Sequence, residues 1–329
     1  MSASAITTQD AKFKSLGLSK MTVNKEQVCC YSRGLGAASD GNPILVLIHG
    51  YPQSSYGWRH MIPLLPPDAP IFAPDLPGYG ASAPIEQNDK LSVGKALMSA
   101  LKTEVKRTSS ANLSRIPVVL IGHDRGARVA HRLAVSGVEG VHILGVCLID
   151  IVPTTTQWEA SSKAAAVVGY FHWPFLANVD LADRMITAFG GDNWCREMTL
   201  RWAGKNAKGL GNLKADNALD IYTQFFMQPH TVHASNEDYK AGATVDVEAQ
   251  TEDQKAGRRI ACPVLLLYSE SYIGSRYEFP DVWRGWVKDG VRIDSHGWGD
   301  GIGHFGAEEA PEESAGVVGE WLKGLGGGR

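Results

Sequence analysis

The sequence predicts an α/β fold: a mostly parallel, doubly wound sheet carrying an inserted helical cap. Three observations lead there. Short apolar runs, several rich in β-branched residues, recur along the chain and each ends at a polar or glycine-containing turn. Helical stretches separate most of these runs, the alternation expected when helices cover both faces of a parallel sheet. Between residues 153 and 259 the strand pattern gives way to segments rich in Trp, Phe and Met with helical spacing.

Taken in order, strands are expected at Ile44-Leu-Val-Leu-Ile48, at residues 71–73, at 118–121, at 143–149 and at 264–268. Each is apolar throughout, as a strand buried on both faces must be. Helices are expected at 90–108 and 125–135, and in the insert at 156–168 and 193–203. Residues 1–152 and 260–329 then form the two parts of the core, and 153–259 the cap. Such a cap sits over the C-terminal edge of the sheet, where open α/β sheets bind ligands. The glycine-rich tail 324–329 is expected to fray.

Composition narrows the function classes. With 329 residues the chain can bury a large core, and 20% charged against 44% apolar residues is the ordinary globular balance. A formal net charge of −3 argues against a nucleic-acid partner. No run is apolar enough for a signal peptide or a membrane span, so no membrane association and a cytoplasmic location are expected. Five cysteines without a CxxC pair suggest reduced packing residues, with neither a disulfide framework nor a metal site.

The chemistry concentrates in Gly122-His-Asp124-Arg-Gly126, between an apolar strand and a helix. Small residues on either side of a central side chain permit the tight strand-to-helix turn that exposes a nucleophile. Here that side chain is a carboxylate. A serine that displaced a leaving group from saturated carbon would be left as a stable ether, whereas a carboxylate gives an ester that water can cleave, so Asp124 points to an alkyl halide or epoxide substrate. An aspartate in this place can equally be a helix cap.

A general base is expected late in the chain, and His304, in Gly303-His-Phe-Gly306, suits it better than His296. Two carboxyls could orient the imidazole: Asp150 and Glu270, both just past strand ends. Asp150 is preferred as the shorter and more rigid support. The turn His49-Gly-Tyr51-Pro52 could bring the Tyr51 N–H beside that of Arg125 as an oxyanion hole, and Asp75 and Gly80 are read as shaping a neighbouring loop.

On His49-Gly-Tyr-Pro-Gln53, Gly122-His-Asp-Arg-Gly-Ala-Arg128, Leu148-Ile-Asp-Ile-Val-Pro153, His172-Trp173 and Asp238-Tyr-Lys-Ala241, the chain resembles the fluoroacetate (haloacetate) dehalogenases of the α/β-hydrolase superfamily, relatives of haloalkane dehalogenases and epoxide hydrolases. The resemblance implies an α/β-hydrolase fold with Asp124 as nucleophile, His304 as base and Asp150 as acid. It further implies that Arg125 and Arg128 hold a substrate carboxylate, that His172, Trp173 and Tyr239 hold the departing halide, and that Trp202 lines the pocket. The expected reaction converts a halogenated carboxylate to a 2-hydroxy acid and halide in a homodimer, without a cofactor. Ala127 stands where the family often has glycine, and the loop before His304 is expanded by residues 298–302. An epoxide hydrolase using Tyr239 with Tyr170 or Tyr222 is the alternative, and a binding protein that has lost turnover is a third.

Overall fold

A computed structural model describes residues 4–22, 24–108 and 114–325. Its described residues form eight strands: β1 (Ser19–Met21), β2 (Cys30–Arg33), β3 (Ile44–Ile48), β4 (Ile71–Pro74), β5 (Ile116–His123), β6 (Val141–Ile149), β7 (Val264–Ser269) and β8 (Ile293–Trp298). They lie in one sheet in the order β1-β2-β4-β3-β5-β6-β7-β8. β2 pairs antiparallel with β1 and β4, and the remaining pairs are parallel.

Alternation of side chains across the sheet explains why the expected strands are apolar throughout. Ile44, Val46, Ile48, Val118, Leu120, Val146, Leu148, Val264 and Leu266 enter one core. Their neighbours Leu45, Leu47, Val119, Ile121, Cys147, Ile149, Leu265 and Leu267 enter the other, beneath Trp58, Trp298 and Trp321. Each such side chain contributes about 1.5–3 kcal/mol on burial. The sheet has three strands beyond the five expected. β1 and β2 are three and four residues long, and β8 reads Ile-Asp-Ser-His-Gly-Trp, so pairing with a neighbour rather than local pattern makes each a strand.

Helices Lys90–Thr108 and Arg125–Ser136 fall where expected. Between β6 and β7, residues 154–255 hold helices and no strand. The stretch expected as one helix at 156–168 is two, Thr154–Glu159 and Ala164–Gly169, parted by a 3₁₀ turn at Ala160–Ser162. The Ser162 hydroxyl there donates to the Glu159 carbonyl, a local bond of the kind that competes with helix propagation. At the C-terminus, Gly324 and Leu325 belong to the helix Pro311–Leu325, and the rest of the tail expected to fray lies outside the described residues. No described helix is long and apolar enough to cross a membrane. The five cysteines are unpaired.

One topological feature positions the site. From β3 the chain runs outward to β4 and then crosses back to β5 on the other side of β3, so strand order reverses between β3 and β5. Loops leaving the two strands diverge there and open a crevice at their C-terminal ends.

Candidate active site

Asp124 occupies that crevice at φ 47, ψ −114, a conformation that few side chains adopt. Its neighbours are glycine for steric reasons. A Cβ on Gly122 would lie 2.6 Å from the Ala127 Cα, one on Gly126 would lie 2.2 Å from the Ile48 carbonyl oxygen, and one on Gly50 would lie 2.5 Å from the Asp124 Cβ. Although Asp124 directly precedes the helix Arg125–Ser136, its side chain makes no capping hydrogen bond. Instead Oδ1 accepts the Tyr51 N–H at 2.9 Å. The Arg125 N–H is one of the first-turn donors that a helix leaves without an internal partner.

Burial pushes the Asp124 carboxyl up, but His304, His123, Arg125 and the Tyr51 N–H together outweigh it and bring the group down to about 2. Asp124 is therefore ionised at neutral pH. His304 Nε2 stands 3.8 Å from Asp124 Oδ2, beyond a direct hydrogen bond. Its Nδ1–H donates to Asp150 Oδ2 at 2.5 Å, and Asp150 Oδ1 accepts the Ser269 N–H at 2.8 Å. Burial works against the imidazolium, yet the hydrogen bond and charge of Asp150, followed by Asp124, raise His304 above its ordinary value.

The competitors lie elsewhere. Glu270 is exposed beside Gly297, and His296 pairs with Glu313 at 2.7 Å near the surface. His123 braces the base, its Nε2–H donating to the His304 carbonyl at 2.8 Å.

A cavity of about 20 Å³ lies over Asp124. Arg128, His172, Trp173, Trp202, Tyr239 and His304 line it, as do Tyr170 and Asp150. Burial pushes His172 down to about 3, so it is neutral, and its Nδ1 and the Trp202 Nε1 are buried without a partner. The cavity is thus walled by unused ring nitrogens, of which the Trp202 indole N–H is a donor. Asp75 and Gly80 shape a loop as expected: the Asp75 carboxylate accepts the N–H groups of Ser55 and Ala81, and Gly80 has φ 54 against it.

Arg125, expected beside Arg128, already has an acidic partner. Its Nε–H donates to Asp238 Oδ2, its Nη2 donates to the Asp238 carbonyl at 2.7 Å, and the guanidinium lies 4.1 Å from the Tyr239 ring centre, while Nη1 is buried without a partner. Lys90 also pairs with Asp238, and with Asp246 at 3.0 Å, so two cations face two anions. Arg128 lines the cavity, stacked 4.5 Å from the Trp173 ring centre. The Tyr51 hydroxyl is taken by the Trp194 Nε1–H, so Tyr51 serves the site through its backbone. The Tyr222 hydroxyl donates to Glu308 at 2.9 Å outside the cavity, which removes it as a proton donor to substrate.

Three lining residues had escaped sequence reasoning: Gln157, Tyr272 and Ile273. Gln157 is buried with Nε2 unpartnered, and nothing in a glutamine on a short helix announces that. Asp238, by contrast, lies within a motif that marked the resemblance but had been given no role.

A mostly parallel sheet, an aspartate on a strained strand-to-helix turn and a histidine–aspartate pair facing it define a hydrolase of the α/β class. The chain belongs to the alpha/beta hydrolase family, whose sequence profile matches residues 45–317. Among its relatives, the fluoroacetate dehalogenase of Burkholderia sp is 29% identical over 282 residues, 85% of this chain and 87% of that protein. The soluble epoxide hydrolase of Corynebacterium sp. (strain C12) is 26% identical over 295 residues, 89% and 94% of the two chains. In structure the chain is similar to a mutant of a candidate epoxide hydrolase from Pseudomonas aeruginosa with bound MFA, at a TM-score of 0.79 and 27% identity over 94% of this chain and 97% of that one. The resemblance drawn from the motifs is thereby borne out.

Proposed function

We propose that the protein hydrolyses short 2-haloalkanoates, fluoroacetate among them, to the 2-hydroxy acid and halide through an ester on Asp124. The observation that carries this reading is Arg128. Buried at the cavity wall, it donates to the uncharged Val152 carbonyl and Thr154 hydroxyl, each at 3.0 Å, and forms no ion pair with a carboxylate among the described residues. Burial and then the neighbouring Arg125 pull it down to about 10, which leaves it charged at neutral pH. A buried cation in that state is stabilised by an entering anion, and a neutral epoxide leaves it uncompensated. The unpartnered Gln157 amide on the same cavity offers a further donor to a carboxylate.

In this scheme Asp124 Oδ2 attacks the carbon bearing halogen, the new C–O bond forms with inversion, and the C–halogen electron pair leaves with the halide. His172, Trp173 and Tyr239 replace part of the halide's water. A compact fluoride needs this most, and a preorganised donor is worth about 3 kcal/mol. Esterification also removes the negative charge of Asp124, one of the influences that raise His304. The imidazole then loses its proton more readily and can take one from a water occupying the gap to Asp124. That water attacks the Asp124 carboxyl carbon, and the N–H groups of Tyr51 and Arg125 receive the oxyanion before it collapses to the hydroxy acid and free Asp124.

One observation favours a second reading, epoxide hydrolysis. The Tyr170 hydroxyl is buried at the cavity beside Tyr272, and it could protonate an opening epoxide together with Tyr239. The variant His304→Asn, incubated separately with fluoroacetate, chloroacetate and styrene oxide, separates the two. Mass spectrometry of the peptide containing Asp124 should find an ester from the halo acids. An adduct from the epoxide alone would make the dehalogenase reading wrong. The active form in this proposal is a homodimer, and light scattering over a range of protein concentrations reads it.

A further inference from the structure

We infer that Glu309 is a positioning residue for His304, and that the expanded loop at residues 298–302 is a clasp registering the base against the cap. Glu309 is 2% exposed, yet among the described residues no Lys or Arg pairs with its carboxylate. Its partners are backbone N–H groups: Gly303 and Gly204 on Oε2, each at 2.9 Å, and Phe305 on Oε1 at 3.2 Å. Gly303 and Phe305 flank His304, and Gly204 belongs to the cap segment just after Trp202. One carboxylate thus ties both sides of the base to the element that carries a cavity wall.

The backbone completes the clasp. The His304 N–H donates to the Trp202 carbonyl at 3.0 Å, and the Gly301 carbonyl accepts from Lys205 at 2.8 Å and Asn206 at 3.2 Å. The Asn206 side chain donates to the Asp300 carbonyl at 3.0 Å. Cap and loop approach too closely for side chains: a Cβ on Gly204 would lie 2.2 Å from the Gly301 oxygen, and one on Gly303 would lie 2.1 Å from the Gly204 nitrogen. A residue with two acceptor oxygens is needed at 309. A glutamine there would turn its NH₂ toward at least one of the same N–H donors.

The inference rests on the ester mechanism proposed above, but not on which substrate supplies the carbon. In that mechanism attack by Asp124 does not use His304, whereas cleavage of the ester does. Loosening the clasp should therefore slow the second step selectively, since misplacing a catalytic group by about 1 Å can cost about 100-fold.

The test uses the full chain and two variants, Glu309→Gln and Gly204→Ala, which open the same clasp from opposite sides. Rapid quenching with chloroacetate, and in parallel with styrene oxide, follows the appearance and decay of the Asp124 ester by mass spectrometry. Thermal melting reports the folded state of each variant. The expected result is ester formation near the unmodified rate, ester decay slowed about 100-fold and accumulation of ester in the steady state. Equal slowing of both steps, or of neither, overturns the inference. If Glu309→Gln does not fold, Gly204→Ala carries the same decision. Turnover of styrene oxide alone removes the dehalogenase reading and leaves the clasp to be judged on that substrate. Turnover of neither substrate by the unmodified protein removes the ester mechanism and this inference with it.

Discussion

Asp124 and His304 share one crevice, and each is shifted by burial in one direction and by the other's charge in the opposite one. The carboxyl ends at about 2, so it rests as the anion, and the imidazole is raised above its ordinary 6.5. In the proposed mechanism ester cleavage requires neutral His304 and must speed up as pH rises through its pKa. Replacing Asp150 by asparagine removes the largest influence that holds His304 up. The rising limb of ester cleavage should then move to lower pH while the plateau falls by about 10²–10⁴-fold. Pre-steady-state rates from about pH 5 to about pH 9 check both. An unmoved limb would take Asp150 out of contact with the base. The candidate triad was legible in the sequence because aspartate in a glycine-flanked turn and histidine in a late glycine-rich loop are unusual choices for packing. Gln157, Asp238 and Glu309 were not, because only their partners distinguish them from ordinary helix residues.

At the scale of elements, the elbow between β5 and its following helix is set by clearance. The 2.2 Å that a Gly126 Cβ would leave to the Ile48 carbonyl involves backbone on both sides, so neither can give way cheaply. Gly126→Ala should destabilise the fold by about 3 kcal/mol or more in urea unfolding. Ala127→Gly, at the position where the family often has glycine, should cost only about 1 kcal/mol. Comparable losses for the two would mean that the turn is not sterically pinned. The five strands of the sheet's interior were readable because both faces of their central residues are buried and those residues are apolar. The strands at its margins were not, because β8 has a polar sequence and is held by its ladder with β7.

The whole molecule decides substrate size. The cap closes over the crevice until about 20 Å³ remains, little more than one water requires. For the proposed hydrolysis of 2-haloalkanoates, a two-carbon acid should therefore be preferred, and kcat/KM should fall by about 10–200-fold for each methylene added in the series chloroacetate, 2-chloropropionate, 2-chlorobutyrate. A flat series would place the substrate outside this cavity.

By itself the sequence determined the fold class, the nucleophile turn and the candidate triad, since these depend on local geometry and on residue chemistry that few alternatives supply. Only the tertiary structure decided which cations are already neutralised. Arg125 and Arg128 look alike three residues apart on one helix, but Asp238, 113 residues from Arg125, pairs with the first, whereas the second has no carboxylate partner among the described residues. Contacts of that span carry no local signal, because they are created by the packing of the cap onto the sheet.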